Sequence, residues 1–330
     1  MKIRVISQAE IQQLVSMADT IEIVKQAFAQ LSAGDADVPA RNQLEVAPHD
    51  GIALFMPAYL RKTDQLGIKI VSVFPNNREA GIPTIHALVT VVDTETGRPA
   101  AVMDGTYLTA LRTGAASGAA TDLLARQDAT VVAIFGAGVQ GRTQLEAICE
   151  VRDIERVLVF DVNPGAADTF VAEMRTRGGR IPPGITATES SADAVRDADI
   201  VCTTTTSQAP VFDDSDLKPG VHINAVGAFT PDTQEVPAET IQRARLFVDS
   251  REACWAEAGD LIIPRDHGLI SEADVIAELG EIVSGAEKGR VSEDEITFFK
   301  SVGNAVQDVA VAGLILEEAV KQGLGTEVEI

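Results

Sequence analysis

The run Gly136-Ala137-Gly138-Val139-Gln140-Gly141 has the residue types and spacing that cradle a pyrophosphate. Each glycine has its own use. Gly136 permits a tight turn, Gly138 lets the backbone approach the phosphates, and Gly141 lets a helix pack closely on the preceding strand. The spacing alone is weak, but its context is the required one. A buried-strand pattern, Val131-Val132-Ala133-Ile134-Phe135, enters the run, and a helical pattern with inward Leu145 and Ile148 leaves it. The start of that helix offers N–H groups and partial positive charge to phosphates. A second strand, Val157-Leu158-Val159-Phe160, ends in Asp161, about 20 residues beyond the last glycine. Its carboxylate suits ribose hydroxyls. A 2′-phosphate would meet like charge there, and Val162-Asn163-Pro164 supplies no arginine. The expected cofactor is NAD(H) rather than NADP(H).

Two cations elsewhere suit an acidic substrate. Lys69 stands in Leu66-Gly67-Ile68-Lys69-Ile70-Val71-Ser72-Val73, apolar on both faces. A lysine partly buried there needs an anion or acceptors. A substrate carboxylate would serve, and so would an internal Asp or Glu. Arg112 lies in Ala110-Leu111-Arg112-Thr113-Gly114-Ala115-Ala116-Ser117-Gly118-Ala119-Ala120. A helix of such small residues packs very close to a neighbour or ligand. A guanidinium there grips carboxylate or phosphate in a bidentate manner, or else caps a surface. His49, His86, His222 and His267 are scattered, so no metal site is expected.

The elements that must position these groups follow from periodicity. Ile21, Val24, Phe28 and Leu31 recur at helical spacing, with Gly34 as a stop. Strand-like runs then cover residues 43–47, 52–59, 66–74, 84–93 and 100–104, with short links that predict an antiparallel sheet. From Ala129 the rhythm changes to strand, helix, strand. Runs at 131–135, 156–160, 185–188, 200–204, 222–226 and 246–249 predict a doubly wound parallel sheet. The stretch 293–322 reads as one long helix or two joined ones, with Ile296, Phe299, Val302, Val306, Val309, Ala312, Leu316 and Ala319 apolar. It is expected to leave the nucleotide domain and return to the N-terminal sheet.

Composition limits the partners. The 330 residues suggest two domains, and 45% apolar with 23% charged residues is ordinary for a soluble globular protein. A net charge of −22 repels nucleic acids and anionic membranes. Cys149, Cys202 and Cys254 form neither a disulfide framework nor a zinc spacing, which fits a reducing cytoplasm. No signal peptide or membrane span is expected.

Taken together, the motifs resemble the ornithine cyclodeaminase/mu-crystallin family across nearly the whole chain. The matching residues are Arg41, Lys69, Pro83-Thr84, Leu111-Arg112-Thr113-Gly114-Ala115, the glycine run, Asn224-Ala225-Val226-Gly227, Glu257-Ala258-Gly259-Asp260 and Ser301-Val302-Gly303. The resemblance implies a Rossmann NAD-binding domain, residues 121–303, inserted into an α+β substrate-binding and dimerisation domain, residues 1–120 plus 304–330. The substrate would lie in the cleft, and the chain would form a homodimer. Arg41, Lys69 and Arg112 match positions that hold the substrate carboxylate, and Val302 matches one beside the substrate. Thr84, Arg112, Val139, Gln140, Asp161, Thr203, Val226 and Ser301 match cofactor-contacting positions.

One departure bears on the reaction. Ornithine cyclodeaminases carry an aspartate two residues after the glycine of Val226-Gly227, where it engages the substrate's distal amine. This chain has Phe229. A phenyl ring neither accepts a proton nor binds an ammonium by hydrogen bonds, although the shifted Asp232 is near in sequence. The run Gly227-Ala228-Phe229-Thr230-Pro231-Asp232 is similar to the reductase branch. That branch implies hydride transfer from NADH to the C=N bond of cyclic ketimines, 1-pyrroline-2-carboxylate or 1-piperideine-2-carboxylate, giving L-proline or L-pipecolate. A cyclodeaminase with catalytic NAD+, a reductive aminase like alanine dehydrogenase, and a non-enzymatic binder stay open as alternatives.

Overall fold

The computed structural model describes residues 1–330, apart from the side chain of Arg78. The chain forms two compact units, Met1–Arg112 with Asn304–Ile330, and Thr113–Gly303. The helix Gly105–Leu124 carries the chain from the first into the second.

The first unit is a mixed sheet covered by helices. Its strands run in the order Thr326–Glu329, Lys2–Ile6, Pro99–Asp104, Ile85–Val92, Gln65–Val73, Gly51–Leu60 and Ala36–Asp37, with Asn42–Val46 also paired to Gly51–Leu60. All pairings are antiparallel except that of Lys2–Ile6 with Pro99–Asp104. The five strands expected between residues 43 and 104 are all present. The first and last strands escaped the sequence reading, because each is short and lies near a chain end.

Alternation along these strands sorts the side chains. Met56, Ala58, Leu60, Val71 and Ala87 face inward and pack with Val306, Val309 and Ala310 of the helix Ala305–Gln322. Gly67 lets that helix pack close against the sheet. A β-carbon there would lie 2.7 Å from the carbonyl of Thr90 and 3.2 Å from Val309 Cγ2. The opposite face carries Phe55, Ile70 and Leu88 in register across three strands, with Ile70 and Leu88 exposed.

The second unit is an eight-stranded parallel sheet. Its order is Ile185–Ala187, Arg156–Phe160, Val131–Phe135, Ile200–Thr203, His222–Ala225, Thr297–Lys300, Arg245–Val248 and Val275–Glu278. Val131–Phe135 is buried at every position, as a strand covered on both faces must be. Leu145, Ile148, Phe170 and Met174 cover one side, and Val236, Ile241, Leu261 and Phe298 belong to the core of the other. Strand order reverses between Val131–Phe135 and Ile200–Thr203, the switch point where such sheets bind ligands.

The structure corrects one expectation. The stretch 293–322 is not one helix. Thr297–Lys300 is a strand in the parallel sheet, and the helix starts only at Ala305. Ile296, Phe299 and Val302 mimic helical spacing by coincidence. All four residues of Thr297–Lys300 are buried, a two-faced burial that a four-residue window cannot separate from a helix turn. Asn304 starts the true helix: its Oδ1 accepts from Val306 N at 3.1 Å, and Gln307 Oε1 accepts from Asn304 N at 2.9 Å.

Candidate functional site

In the first unit, three strands and two helices build a buried charge cluster. Lys69 sits mid-strand between Met56 and Val89, and alternation turns it inward. Its side chain is 2% exposed. The anion it needs comes from the protein: Nζ lies 2.7 Å from Oδ2 of Asp308. The other oxygen of Asp308 accepts from Arg112 Nε at 2.9 Å. Arg112 Nη1 donates to Gln307 Oε1 at 2.8 Å. Gln307 and Asp308 both stand in the first turn of Ala305–Gln322, and the long Arg112 side chain reaches both.

Two cations share one carboxylate, which leaves excess positive charge. Desolvation, with the guanidinium of Arg112 next, pushes Lys69 down to about 8, while Asp308 opposes the shift. The charge of Arg41 contributes in the same direction as Arg112. Arg41 itself is half-buried just before Asn42–Val46. Thr84, half-buried, accepts from Phe74 N at 2.8 Å through its carbonyl and so closes the turn between two strands.

In the second unit, the glycine run lies at the carboxyl end of Val131–Phe135. Gly136 has a φ of 97°, which a side chain would strain. A β-carbon on Gly141 would collide with the carbonyl of Gly136. A β-carbon on Gly138 would meet nothing within 4 Å, so the open space lies at this residue. Gly138 also begins the helix Val139–Val151 without any side-chain cap. The first-turn amides, which have no intrahelical acceptors, thus receive no side-chain cap from Gly138 either and suit an anion. Val139 is exposed, and Gln140 Oε1 has no hydrogen-bond partner among the described residues.

Asp161 helps to shape this loop. Its Oδ2 accepts from Ala137 N and its Oδ1 from Asn163 N, both at 2.8 Å. Arg142, which sequence reasoning missed, donates to the carbonyls of Ala137 at 2.6 Å and Gly138 at 2.9 Å. The open loop, the uncapped helix and the terminal carboxylate together fit a dinucleotide.

Two further carboxylates organise the neighbouring strand ends. Glu235, fully buried, accepts from Thr203 Oγ1 at 3.0 Å, Thr205 N at 2.6 Å, Thr205 Oγ1 at 2.7 Å and Ala228 N at 3.0 Å. It ties together the loops after Ile200–Thr203 and His222–Ala225, which hold Thr203 and Val226. Desolvation, with the charge of Asp260 next, raises its carboxyl above the ordinary range. Asp260 pairs with the buried Lys300 at 2.8 Å and accepts from Glu235 N and Val236 N. Asp249 Oδ2 accepts from Ser301 Oγ, Val302 N and Gly303 N at 2.8–3.0 Å, and so builds the turn that carries Ser301 and Val302. Of these acids only Asp260 lies in a motif that the sequence reading singled out, and the roles of all three were not readable because their donors come from other segments.

Thr203 and Ser301 are thus buried with their hydroxyls engaged by Glu235 and Asp249. Val226 and Val302 are half-buried. Phe229 is 53% exposed. Asp232 is exposed and accepts from Thr230 Oγ1 at 2.7 Å. His222 is buried between Thr297 and Asn224, and desolvation drops it to about 3, so it is a structural group. Burial pushes Cys149 and Cys202 up to about 12, which leaves no reactive thiolate there. No cluster of three His, Cys, Asp or Glu among the described residues could hold a metal.

The chain is similar to known proteins over nearly its whole length. Residues 1–323 match the sequence model of the ornithine cyclodeaminase/mu-crystallin family. The Delta(1)-pyrroline-2-carboxylate reductase of Bacillus cereus is 41% identical over 326 residues, covering 98% of this chain and 99% of that protein. The structure of Thermococcus litoralis Delta(1)-pyrroline-2-carboxylate reductase in complex with NADH and L-proline is 44% identical. It superposes with a TM-score of 0.95 over 99% of this chain and 100% of that one. An archaeal alanine dehydrogenase dimer with bound NAD is 38% identical, with a TM-score of 0.92 and complete coverage of both chains.

Proposed function

Since the chain belongs to the ornithine cyclodeaminase/mu-crystallin family, we propose that it is an NAD(H)-dependent reductase of cyclic ketimines. The substrate is 1-pyrroline-2-carboxylate or its six-membered homologue, and the product is L-proline or L-pipecolate. The observation that carries this reading is the buried cluster of Lys69 and Arg112 around the single carboxylate of Asp308. Its surplus charge binds an acid. Phe229, at the position of the cyclodeaminase aspartate, offers no acceptor for a distal amine. The curated and solved reductases at 41% and 44% identity support the same chemistry.

NADH, when bound, supplies a hydride to the carbon of the C=N bond. The chain's residues do the rest. Arg41, Lys69 and Arg112 hold and orient the carboxylate, and that positioning accounts for much of the rate. Lys69, lowered to about 8, is a stronger acid than an ordinary lysine and still protonated at neutral pH. It is suited to give the proton that the ring nitrogen gains. The amides after Gly138 take the pyrophosphate, and Asp161 takes the ribose. Thr84, Thr203, Val226 and Ser301 act mainly through the backbone turns they anchor.

The chain works as a homodimer in the cytoplasm. The exposed Ile70 and Leu88 on one sheet face support association, as does the alanine dehydrogenase dimer. Three free cysteines suit a reducing compartment, and no helix among the described residues is long and apolar enough to cross a membrane.

The deciding experiment follows NADH absorbance with three substrate sets. Loss of NADH with 1-pyrroline-2-carboxylate or 1-piperideine-2-carboxylate is the expected result. Ammonia release from ornithine without added reductant would instead indicate a cyclodeaminase. Turnover only with pyruvate and ammonia would indicate an alanine dehydrogenase, as the 38% identical relative suggests.

A further inference from the structure

Gln307 is fully buried in the first turn of Ala305–Gln322, and half of its amide is committed. Oε1 accepts from Arg112 Nη1 at 2.8 Å and from Asn304 N at 2.9 Å. Both neighbours are donors, so the amide cannot be reversed: a flipped NH2 would face two N–H groups. Its orientation is therefore fixed by the helix cap and by Arg112. The consequence falls on Nε2, which is buried and has no hydrogen-bond partner among the described residues. Buried donors are nearly always satisfied, and one that is not marks a place where a ligand or water completes the bond.

The surroundings say what kind of acceptor completes it. Nε2 shares its amide carbon with an oxygen held by Arg112, and Arg112 shares Asp308 with Lys69. Arg112 itself spends Nε on Asp308 and Nη1 on Gln307. The unused N–H donor of Gln307 thus lies where the charge is positive. An accepting atom with negative charge satisfies it, and a second cation is excluded.

We infer that Gln307 is a further substrate-binding residue, whose NH2 donates to the carboxylate held by Lys69 and Arg112. This rests on the reading of the chain as a reductase of imino acids, but only for the identity of that carboxylate. Gln307 adds direction without charge. Its fixed plane accepts a carboxylate in one orientation and so sets which edge of the imine ring faces the cation pair. Arg112 and the cap of the helix hold the amide still before substrate arrives.

Gln307→Glu tests this with minimal change of shape. Both accepting contacts survive, while the donor becomes an anionic oxygen. KM for 1-pyrroline-2-carboxylate should rise ten- to a hundredfold. KM for 1-pyrroline, which lacks the carboxylate, should not rise, and the Kd for NADH should stay within twofold. An equal rise for both imines, or a change in NADH affinity alone, overturns the inference. Binding of pyrrole-2-carboxylate, read by calorimetry, needs no turnover. Loss of that binding in Gln307→Glu upholds the inference even where wild-type protein reduces no imine, an outcome that sinks the reductase reading alone. Should the variant not fold, the wild-type protein with 15N-labelled glutamine decides. The Gln307 side-chain amide signal should move downfield on adding pyrrole-2-carboxylate, and an unmoved signal overturns the inference.

Discussion

Lys69 and Asp308 meet at 2.7 Å inside the first unit, one from a central strand and the other from the helix that covers it. The lysine's partner is therefore neither solvent nor substrate alone. The carboxylate keeps a buried ammonium in place, while Arg112 on its other oxygen keeps the carboxylate from neutralising the site.

Removing either member separates binding from chemistry. Lys69→Met should abolish imine reduction and leave the Kd for NADH nearly unchanged. Asp308→Asn should lower kcat/KM by roughly 10- to 100-fold, the scale of one hydrogen bond to a charged group. Steady-state kinetics with a fluorescence titration of NADH checks both. Near-normal turnover in Lys69→Met would refute its role.

The pH dependence follows from Lys69 being lowered from 10.5 to about 8 by burial first and Arg112 second. Within that window the unfolded chain holds a proton that the folded chain has lost. The contribution of Lys69 to folding stability therefore rises with pH between about 8 and 10.5. Activity runs the other way, because the neutral amine neither attracts the carboxylate nor has the proton to give. The kcat/KM profile should fall on an alkaline limb near pH 8, and that limb should be absent in Lys69→Arg.

Gly227 is shaped by Glu235. A β-carbon at Gly227 would lie 2.5 Å from Oε1 of Glu235 and would also strike the carbonyl of Thr205. Gly227→Ala should cost about 1–3 kcal/mol of stability, as overpacking does. It should also weaken NADH binding by about tenfold, because the loops bearing Thr203 and Val226 must part. Thermal melts with and without NADH separate the two effects. Unchanged NADH affinity would show that Glu235 serves the fold only.

Asp161 should govern the choice of dinucleotide. Asp161→Ser with Val162→Arg removes the like charge and adds a guanidinium at a residue that is 92% exposed. The preference should shift from NADH toward NADPH by roughly a hundredfold in kcat/KM. Asp161 also accepts from Ala137 N, so the pair should lower the melting temperature by a few degrees.

The cofactor half of the site was legible in the sequence because it is local. A strand, three glycines, a helix and an aspartate follow one another within about thirty residues, the length of a single βαβ unit. The family resemblance pointed to Lys69 and Arg112 in the same way, and apolar flanks showed that the lysine would be buried. What the sequence left open was the lysine's partner. Asp308 and Gln307 lie far along the chain, and a glutamine followed by an aspartate at a helix start reads as capping alone. The stretch 293–322 shows the limit most plainly. Ile296 and Phe299 fit a helix by spacing, yet Phe298 and Phe299 are needed to fill both faces of the parallel sheet, so the segment is a strand. The same holds for Glu235, Asp249, Asp260 and Lys300. Their charges are tolerable only where donors from several strand ends converge, and only the packed tertiary structure brings those ends together.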